Sequence, residues 1–316
     1  MAGQVTPNKK RGWPEPALLT NARQQSKSHH LLVEIVILLV VFVIASLLVE
    51  GLIELFQTIT IRLGGPEIGN DYSLAILPPG QLASLLASVG TIVCCIVYCR
   101  YVEKRKLSTM GLKRSRILRD YCQGLLIGAA LISVAIAVCL LTGTLNYQGR
   151  PPNSPVFLLV LFFIGFALQS LSEELLFRGY FLVSLARRQT VFVSILISSS
   201  FFSLLHITNP GITPLALFNL LLFGAFMAVY FLKQGSIWGV AAIHGTWNFF
   251  QGSVWGINVS GLKGIASVFN FAPTDAGSLL NGGSFGLEGG LATTAVLTLA
   301  LIGTLLVKGR GAQPSS

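Results

Sequence analysis

Long apolar segments dominate the sequence and constrain its fold more than any other feature. Only 11% of the residues are charged, against about 25% in a soluble domain, and the mean hydropathy is +0.71. Each apolar segment, apart from a longer fourth one, is close to the roughly 20 residues that a helix needs to cross a bilayer. The sequence therefore predicts an all-α, polytopic membrane helix bundle with about eight transmembrane helices. These predicted spans lie at about 31–55, 82–102, 122–143, 154–186, 191–208, 213–232, 236–256 and 291–308.

The basic residues predict the orientation of this bundle. Of the 22 Lys and Arg residues, 18 fall on segments that share one side of the membrane if the N-terminus is cytosolic, and three fall on the other side. Positive charge concentrates in cytosolic loops, so both termini are expected in the cytosol. The same rule explains the net charge of +10 without a nucleic-acid partner. We expect a disordered basic cytosolic tail (1–28), a transmembrane helical domain (29–308) and a short cytosolic tail (309–316).

Two carboxylates and a guanidinium lie in the middle of the fourth apolar segment, at Glu173, Glu174 and Arg178. An ionisable residue at the centre of a span costs about 2.5–3.5 kcal/mol on insertion scales and marks a functional site by default. Glu174 and Arg178 are four residues apart, so they share a helix face and can form an ion pair. Glu173 is turned about 100° away from that face. The spacing predicts one structural carboxylate and one that is available for chemistry.

Two further apolar segments carry a histidine each, and both histidines have polar or aromatic companions at helical spacing. His206 follows Phe202 by four residues, and Asn248 follows His244 by four. Residues four apart lie on one helix face, so His244 and Asn248 can face the same cavity. Because few other ionisable groups occur in the spans, we expect a polar site shared with Glu173.

These three motifs, in this order, resemble the CPBP family, the intramembrane proteases of CAAX-processing and bacteriocin-processing type that include Abi proteins and Rce1-like endopeptidases. The family core would cover about 154–256. The resemblance implies that Glu173 and His206 activate a water and that His244 and Asn248 stabilise an oxyanion. Glu174 and Arg178 would support the helix. The segment Gly286–Gly290 resembles a loop of bacterial members.

The expected activity is therefore hydrolysis of a peptide bond in a lipidated or membrane-associated peptide, in the plasma membrane. A metalloprotease is the open alternative, with zinc bound by Glu173, His206 and His244, because one Glu and two His form a familiar catalytic zinc set. A non-catalytic immunity or scaffold protein of the same fold is the alternative function. A transporter is not favoured, because no repeated halves are found. The substrate and the oligomeric state are not indicated.

The remaining reactive residues and the longest outer stretch predict no second site. Ser172 and Ser203 flank motif residues without forming a Ser-His-Asp set. The stretch 257–290 is Gly-rich and is expected to be a flexible loop rather than a substrate lid. The five cysteines are odd in number and lack zinc-ribbon spacing, so we expect free thiols. They are Cys94, Cys95, Cys99, Cys122 and Cys139.

Overall fold

The structure is a computed structural model that describes residues 16–25, 29–62, 78–151, 156–263 and 266–307. It is mostly helical, as predicted, with one small ribbon of two antiparallel strands. The helices are α1 (Ala17–Gln25), α2 (Leu31–Arg62), α3 (Pro78–Ala87), α4 (Val89–Val97), α5 (Ile117–Leu141), α6 (Val156–Glu174), α7 (Val183–Ala186), α8 (Val191–Leu204), α9 (Pro214–Gln234), α10 (Ile237–Phe249), α11 (Ser278–Asn281) and α12 (Leu291–Leu306). The strands are β1 (Leu145–Gly149) and β2 (Asn270–Pro273).

Five of the predicted spans are confirmed as helices long and apolar enough to cross a membrane. They are Leu31–Leu55, Gln81–Val102, Arg114–Leu141, Val156–Ala186 and Pro214–Gln234. Two more predicted spans, α8 and α12, are apolar but shorter than a span. The protein is thus an integral, multi-pass membrane protein, while the count of eight spans and the side of each terminus stay predictions.

Helix α10, the predicted seventh span, lies in the interior of the bundle. Its residues from Ile237 to Asn248 are nearly all buried, and it packs mainly against α5 and α6. Two glycines on α5 allow this close approach. A methyl group on Gly124 would overlap the carbonyl oxygen of Gly239, and one on Gly128 would overlap that of Ile243. Small residues four apart are a common device for close helix contact in membranes. This contact fixes the position of the helix that carries His244 and Asn248.

The backbone changes from α-helical to π-helical between Glu174 and Arg178, inside the first motif, and again shortly after Asn248. The segment Leu175–Leu182 follows α6, and the segment Phe250–Val254 follows α10. π-helical turns are rare and occur frequently at functional sites. Here they begin immediately beyond Glu174 and two residues beyond Asn248. Both motif helices therefore depart from regular geometry at the site.

The prediction of a disordered N-terminal tail is wrong for Ala17–Gln25, which forms α1. Its side chains Leu18, Leu19 and Ala22 are buried against the bundle, since their spacing gives the helix one apolar face. Arg23 donates two hydrogen bonds to the carbonyl oxygen of Ala186, at 3.1 and 2.7 Å. The rest of the predicted N-terminal tail (1–15 and 26–28) and the predicted C-terminal tail (309–316) lie outside the described residues.

A buried charge cluster joins α2, the residue directly after α7 and the segment after α4, near α1. Arg187 contacts Glu34 at 3.1 Å and Glu103 at 2.9 Å, and Glu103 also pairs with Arg105. All four side chains are at most 1% exposed. The predicted inner tail and inner loops thus meet at one end of the bundle. The predicted outer stretches pair too, because β1 and β2 form the ribbon, with Leu145 opposite Pro273.

Candidate active site

The predicted ion pair between Glu174 and Arg178 is present and lies in the core. Arg178 Nη1 donates to Glu174 Oε1 at 3.1 Å, and the two side chains are 1% and 0% exposed. The guanidinium carbon also lies 4.5 Å from the ring centre of Phe202, and Nη2 donates to the Gly224 carbonyl oxygen at 3.4 Å. Paired charges with further polar contacts offset their loss of hydration. Glu174 and Arg178 therefore connect α6 with the helices that carry Phe202 and Gly224.

Glu174 has a second role that the motif spacing did not predict, because it also orients His244. His244 Nδ1 lies 2.9 Å from Glu174 Oε1. A carboxylate can only accept a hydrogen bond, so Nδ1 carries the proton. The other ring nitrogen, Nε2, lies 3.9 Å from Glu173 Oε2. His244 thus stands between the two adjacent carboxylates, with one nitrogen directed at each.

Glu173 is the less buried of the two carboxylates and differs from Glu174 in its contacts. Its side chain is 25% exposed, whereas that of Glu174 is fully buried. Oε1 accepts a hydrogen bond from Gln169 Nε2. Oε2 is buried and has no hydrogen-bond partner. One oxygen is therefore held in place while the other faces His244.

His206 lies in the turn after α8, not within the helix that the span 191–208 predicted. The helix ends at Leu204 because Pro210 and Gly211 follow closely, and the His206 backbone N–H bonds the Ser203 carbonyl oxygen in a tighter turn. The Phe202 carbonyl oxygen accepts a hydrogen bond from His206 Nδ1 at 2.9 Å. Nε2 is then the nitrogen with a free lone pair. Phe202 therefore has two roles at this spacing. Its backbone carbonyl oxygen orients His206, and its ring lies against the Arg178 guanidinium.

A single cavity brings the three later motif residues together. His206, His244 and Asn248 line it, with the aromatic rings of Phe202 and Phe223 forming part of the wall. It offers about 20 Å³ to the centre of a water molecule, and about 10–15 Å³ is enough for one water. Glu173 is not one of the lining residues, but its Oε2 lies 3.9 Å from Nε2 of His244, which is one of them. The cavity thus brings two imidazole side chains and the Asn248 amide around a space that can hold one water.

The stretch after α10 closes one side of this cavity, which differs from the flexible loop that its composition suggested. Ser260 and Glu288 both line the cavity. Glu288 accepts hydrogen bonds from the Ser260 backbone N–H at 2.8 Å and from Gln251 Nε2 at 2.9 Å. Asn219 Nδ2 donates to the carbonyl oxygens of Glu288 and Gly290, at 2.8 and 2.9 Å. The described part of the stretch is therefore folded onto the bundle.

The Glu288 carboxyl lies outside the spanning helices yet is almost fully buried, with 8% of the residue exposed. Burial raises its pKa, and the hydrogen bonds from Ser260 and Gln251 oppose that rise. The positive charge that His206 carries when protonated also opposes it. Glu288 is thus an acidic neighbour of the site that the three motifs do not contain.

Sequence reasoning missed four polar residues of this region: Gln169, Asn219, Ser260 and Glu288. Gln169 and Asn219 are amides inside apolar segments, and such side chains need a hydrogen-bond partner within the bundle. Their position in the sequence could therefore have indicated them as members of the polar site. Ser260 and Glu288 are far apart in sequence and carry no comparable signal, although Glu288 lies within Gly286–Gly290, the segment that resembles a loop of bacterial members.

The alternative zinc site requires that the side chains of Glu173, His206 and His244 converge on one point. Within the described ranges, no group of three or more His, Cys, Asp and Glu side chains is placed to hold a metal ion. In this arrangement His206 Nδ1 and His244 Nδ1 are each used in a hydrogen bond within the protein. Their Nε2 atoms are the nitrogens that a metal would need.

Comparison with known proteins identifies a family over the segment that holds all three motifs. No curated protein matches the sequence. A family model does match, over residues 155–250, a little under a third of the chain. Those residues include Glu173, His206, His244 and Asn248, which supports a CAAX-type intramembrane protease and does not favour the non-catalytic alternative. The resemblance that the motifs indicated is confirmed by this match, which is to the family of Rce1-like type II CAAX prenyl endopeptidases.

Proposed function

We propose that this protein is an intramembrane endopeptidase that hydrolyses a peptide bond with a water activated by Glu173 and His206. The observation that carries the proposal is the juxtaposition of the motif side chains. His206, His244 and Asn248 line one cavity, and Glu173 Oε2 lies 3.9 Å from His244 Nε2 without a hydrogen-bond partner. A carboxylate with an unused oxygen and an imidazole with a free lone pair are suitable partners for a water.

In the first step, the water oxygen attacks the carbonyl carbon of the scissile bond. His206 Nε2 orients the water, and the proton that the water loses passes to Glu173. The carbonyl π electrons move to its oxygen, which becomes an oxyanion. In the second step the carbon–nitrogen bond breaks, and Glu173 returns the proton to the leaving nitrogen. The products are a carboxylic acid and an amine, and Glu173 is regenerated.

His244 and Asn248 are the proposed donors to the oxyanion. Since His244 Nδ1 already donates to Glu174, donation from Nε2 requires a proton on both ring nitrogens. Asn248 donates one amide N–H to Gln169 Oε1 at 3.2 Å, which leaves its second N–H for the oxyanion. Removing one such donor typically costs about 3–4 kcal/mol of transition-state stabilisation.

The proposed substrate is a lipidated or membrane-associated peptide, cut near its C-terminus, and the proposed location is the plasma membrane. The apolar exterior and the position of the site among spanning helices support a substrate that is already held in the bilayer. Cleavage of a fluorogenic prenylated peptide by the purified protein tests the activity. Glu173→Ala should abolish turnover, whereas Ser172→Ala, a neighbour on the same helix, should retain it. Undiminished turnover by Glu173→Ala would refute the mechanism.

A catalytic zinc is the alternative use of the same residues, and we propose the test that separates the two. Glu173, His206 and His244 would be the ligands, and the metal would supply Lewis-acid activation of water. Metal analysis of the purified protein, followed by turnover after removal of metal with a chelator, distinguishes them. Stoichiometric zinc, together with loss of activity that added zinc restores, would favour the metalloprotease.

A further inference from the structure

Gln169 lies one helical turn before Glu173 and belongs to none of the three motifs. Its amide nitrogen Nε2 donates to Glu173 Oε1. Its amide oxygen Oε1 accepts from Asn248 Nδ2 at 3.2 Å and from Ser170 Oγ at 3.4 Å. One side chain therefore links the carboxylate of α6 to the amide of α10. Glu173 and Asn248 have opposite tasks in the proposed reaction, since one handles the water and the other the oxyanion.

The chemistry of these groups fixes which way the amides point. An ionised carboxylate accepts hydrogen bonds only, so it selects the NH₂ end of Gln169. The oxygen end of Gln169 then faces Asn248 and selects the NH₂ end of that amide in turn. In the opposite orientation of the amide, the Asn248 side-chain oxygen would take the place of its NH₂ group and would repel an oxyanion. Gln169 therefore donates to Glu173 and accepts from Asn248. This pair of hydrogen bonds gives the Asn248 amide the orientation that a donor to the oxyanion needs.

We propose that Gln169 is a positioning residue that holds Glu173 in place and turns the NH₂ group of Asn248 toward the reacting carbonyl. The inference rests on the proposed function and deepens it. In the proposed reaction, Gln169 does not touch the water or the substrate carbonyl. Its effect on the reaction passes through Glu173 and Asn248.

The test is steady-state kinetics of the full-length protein on the fluorogenic prenylated peptide. Gln169→Leu keeps the approximate size of the side chain but removes both hydrogen bonds. We expect kcat to fall about tenfold to a hundredfold, the range for a misplacement of order 1 Å, with KM changed less than about threefold. Ser172→Ala is the matched control, because among the described residues Ser172 Oγ donates only to the backbone carbonyl oxygen of Gln169, at 2.7 Å, which Gln169→Leu leaves in place. Its kcat should stay at the wild-type value.

A double-mutant cycle separates positioning from mere packing. If Gln169 acts through Asn248, Gln169→Leu should add much less than its single-variant effect in an Asn248→Ala background. A packing role instead predicts fully multiplicative losses and a lower melting temperature. Gln169→Met provides a second apolar variant if the leucine variant does not fold. Wild-type kcat in both variants, with Glu173→Ala inactive, would overturn this inference alone, whereas an active Glu173→Ala would overturn the proposed function.

Discussion

Glu173 and Glu174 are adjacent in sequence, yet their replacement should damage the protein in different ways. Glu174 Oε1 is shared by Arg178 Nη1 at 3.1 Å and His244 Nδ1 at 2.9 Å, and the side chain is fully buried. Glu174→Ala leaves the buried Arg178 without its counter-charge. Removing one partner of a buried pair costs about 3–5 kcal/mol. Glu173→Ala removes a side chain that is 25% exposed and bonded to Gln169, so its cost should be below about 1 kcal/mol.

The free thiols provide the assay. Cys95, Cys99 and Cys139 are buried in the folded protein, so a thiol-reactive fluorophore reports unfolding in detergent as the temperature rises. One kcal/mol corresponds to roughly 2–4 °C in a chain of 150–250 residues, so Glu174→Ala should lower the melting temperature by roughly 6–20 °C. Glu173→Ala should melt within about 4 °C of the wild type. Both variants should be inactive on the prenylated peptide.

A double variant separates the cost of the buried charge from the loss of His244 orientation. Glu174→Met with Arg178→Met removes both charges and fills the space with apolar side chains, an exchange that is often neutral or stabilising. Stability should recover toward the wild type while activity stays low, because His244 Nδ1 has lost its acceptor. Equal melting temperatures for Glu173→Ala and Glu174→Ala would refute the division of roles.

Three further predictions concern the bundle around the site. Gly124→Ala should destabilise by about 1–3 kcal/mol, since its methyl meets the Gly239 carbonyl oxygen, whereas Gly303→Ala, with open space around it, should not lower the melting temperature. Glu103→Ala should lower the free energy of unfolding by about 3 kcal/mol or more, because it leaves two buried arginines short of a carboxylate. Its control is Glu50→Ala, at an exposed site on α2, which should change that free energy by less than about 0.5 kcal/mol. Burial raises the pKa of Glu288, so the folded state holds that proton more tightly than the unfolded state. The wild type should therefore lose stability relative to Glu288→Gln as the pH rises above the usual glutamate range, and an unchanged difference across pH would contradict this assignment.

The membrane class, the five long spans and the Glu174–Arg178 pair follow from the sequence alone. The reason is local, because apolar length and i,i+4 spacing act within one helix and do not depend on the partners of that helix. The same locality made His244 and Asn248 recognisable as a pair on one face of α10. Local patterns did not predict the helix α1. Its apolar face is short, and it indicates a helix only once the surface that buries it is known.

Only the tertiary structure decided how the motifs meet. The hydrogen bond from His244 to Glu174 joins residues 70 positions apart, and that from Asn248 to Gln169 joins residues 79 apart. The wall of the cavity formed by Ser260 and Glu288 depends on how a Gly-rich stretch folds back onto α9 and onto the π-helical segment after α10. Such contacts arise from the packing of several helices at once, and no pattern within one segment specifies them. The sequence supplied the charged residues in the membrane, and the bundle determined which nitrogen and which oxygen each of them presents.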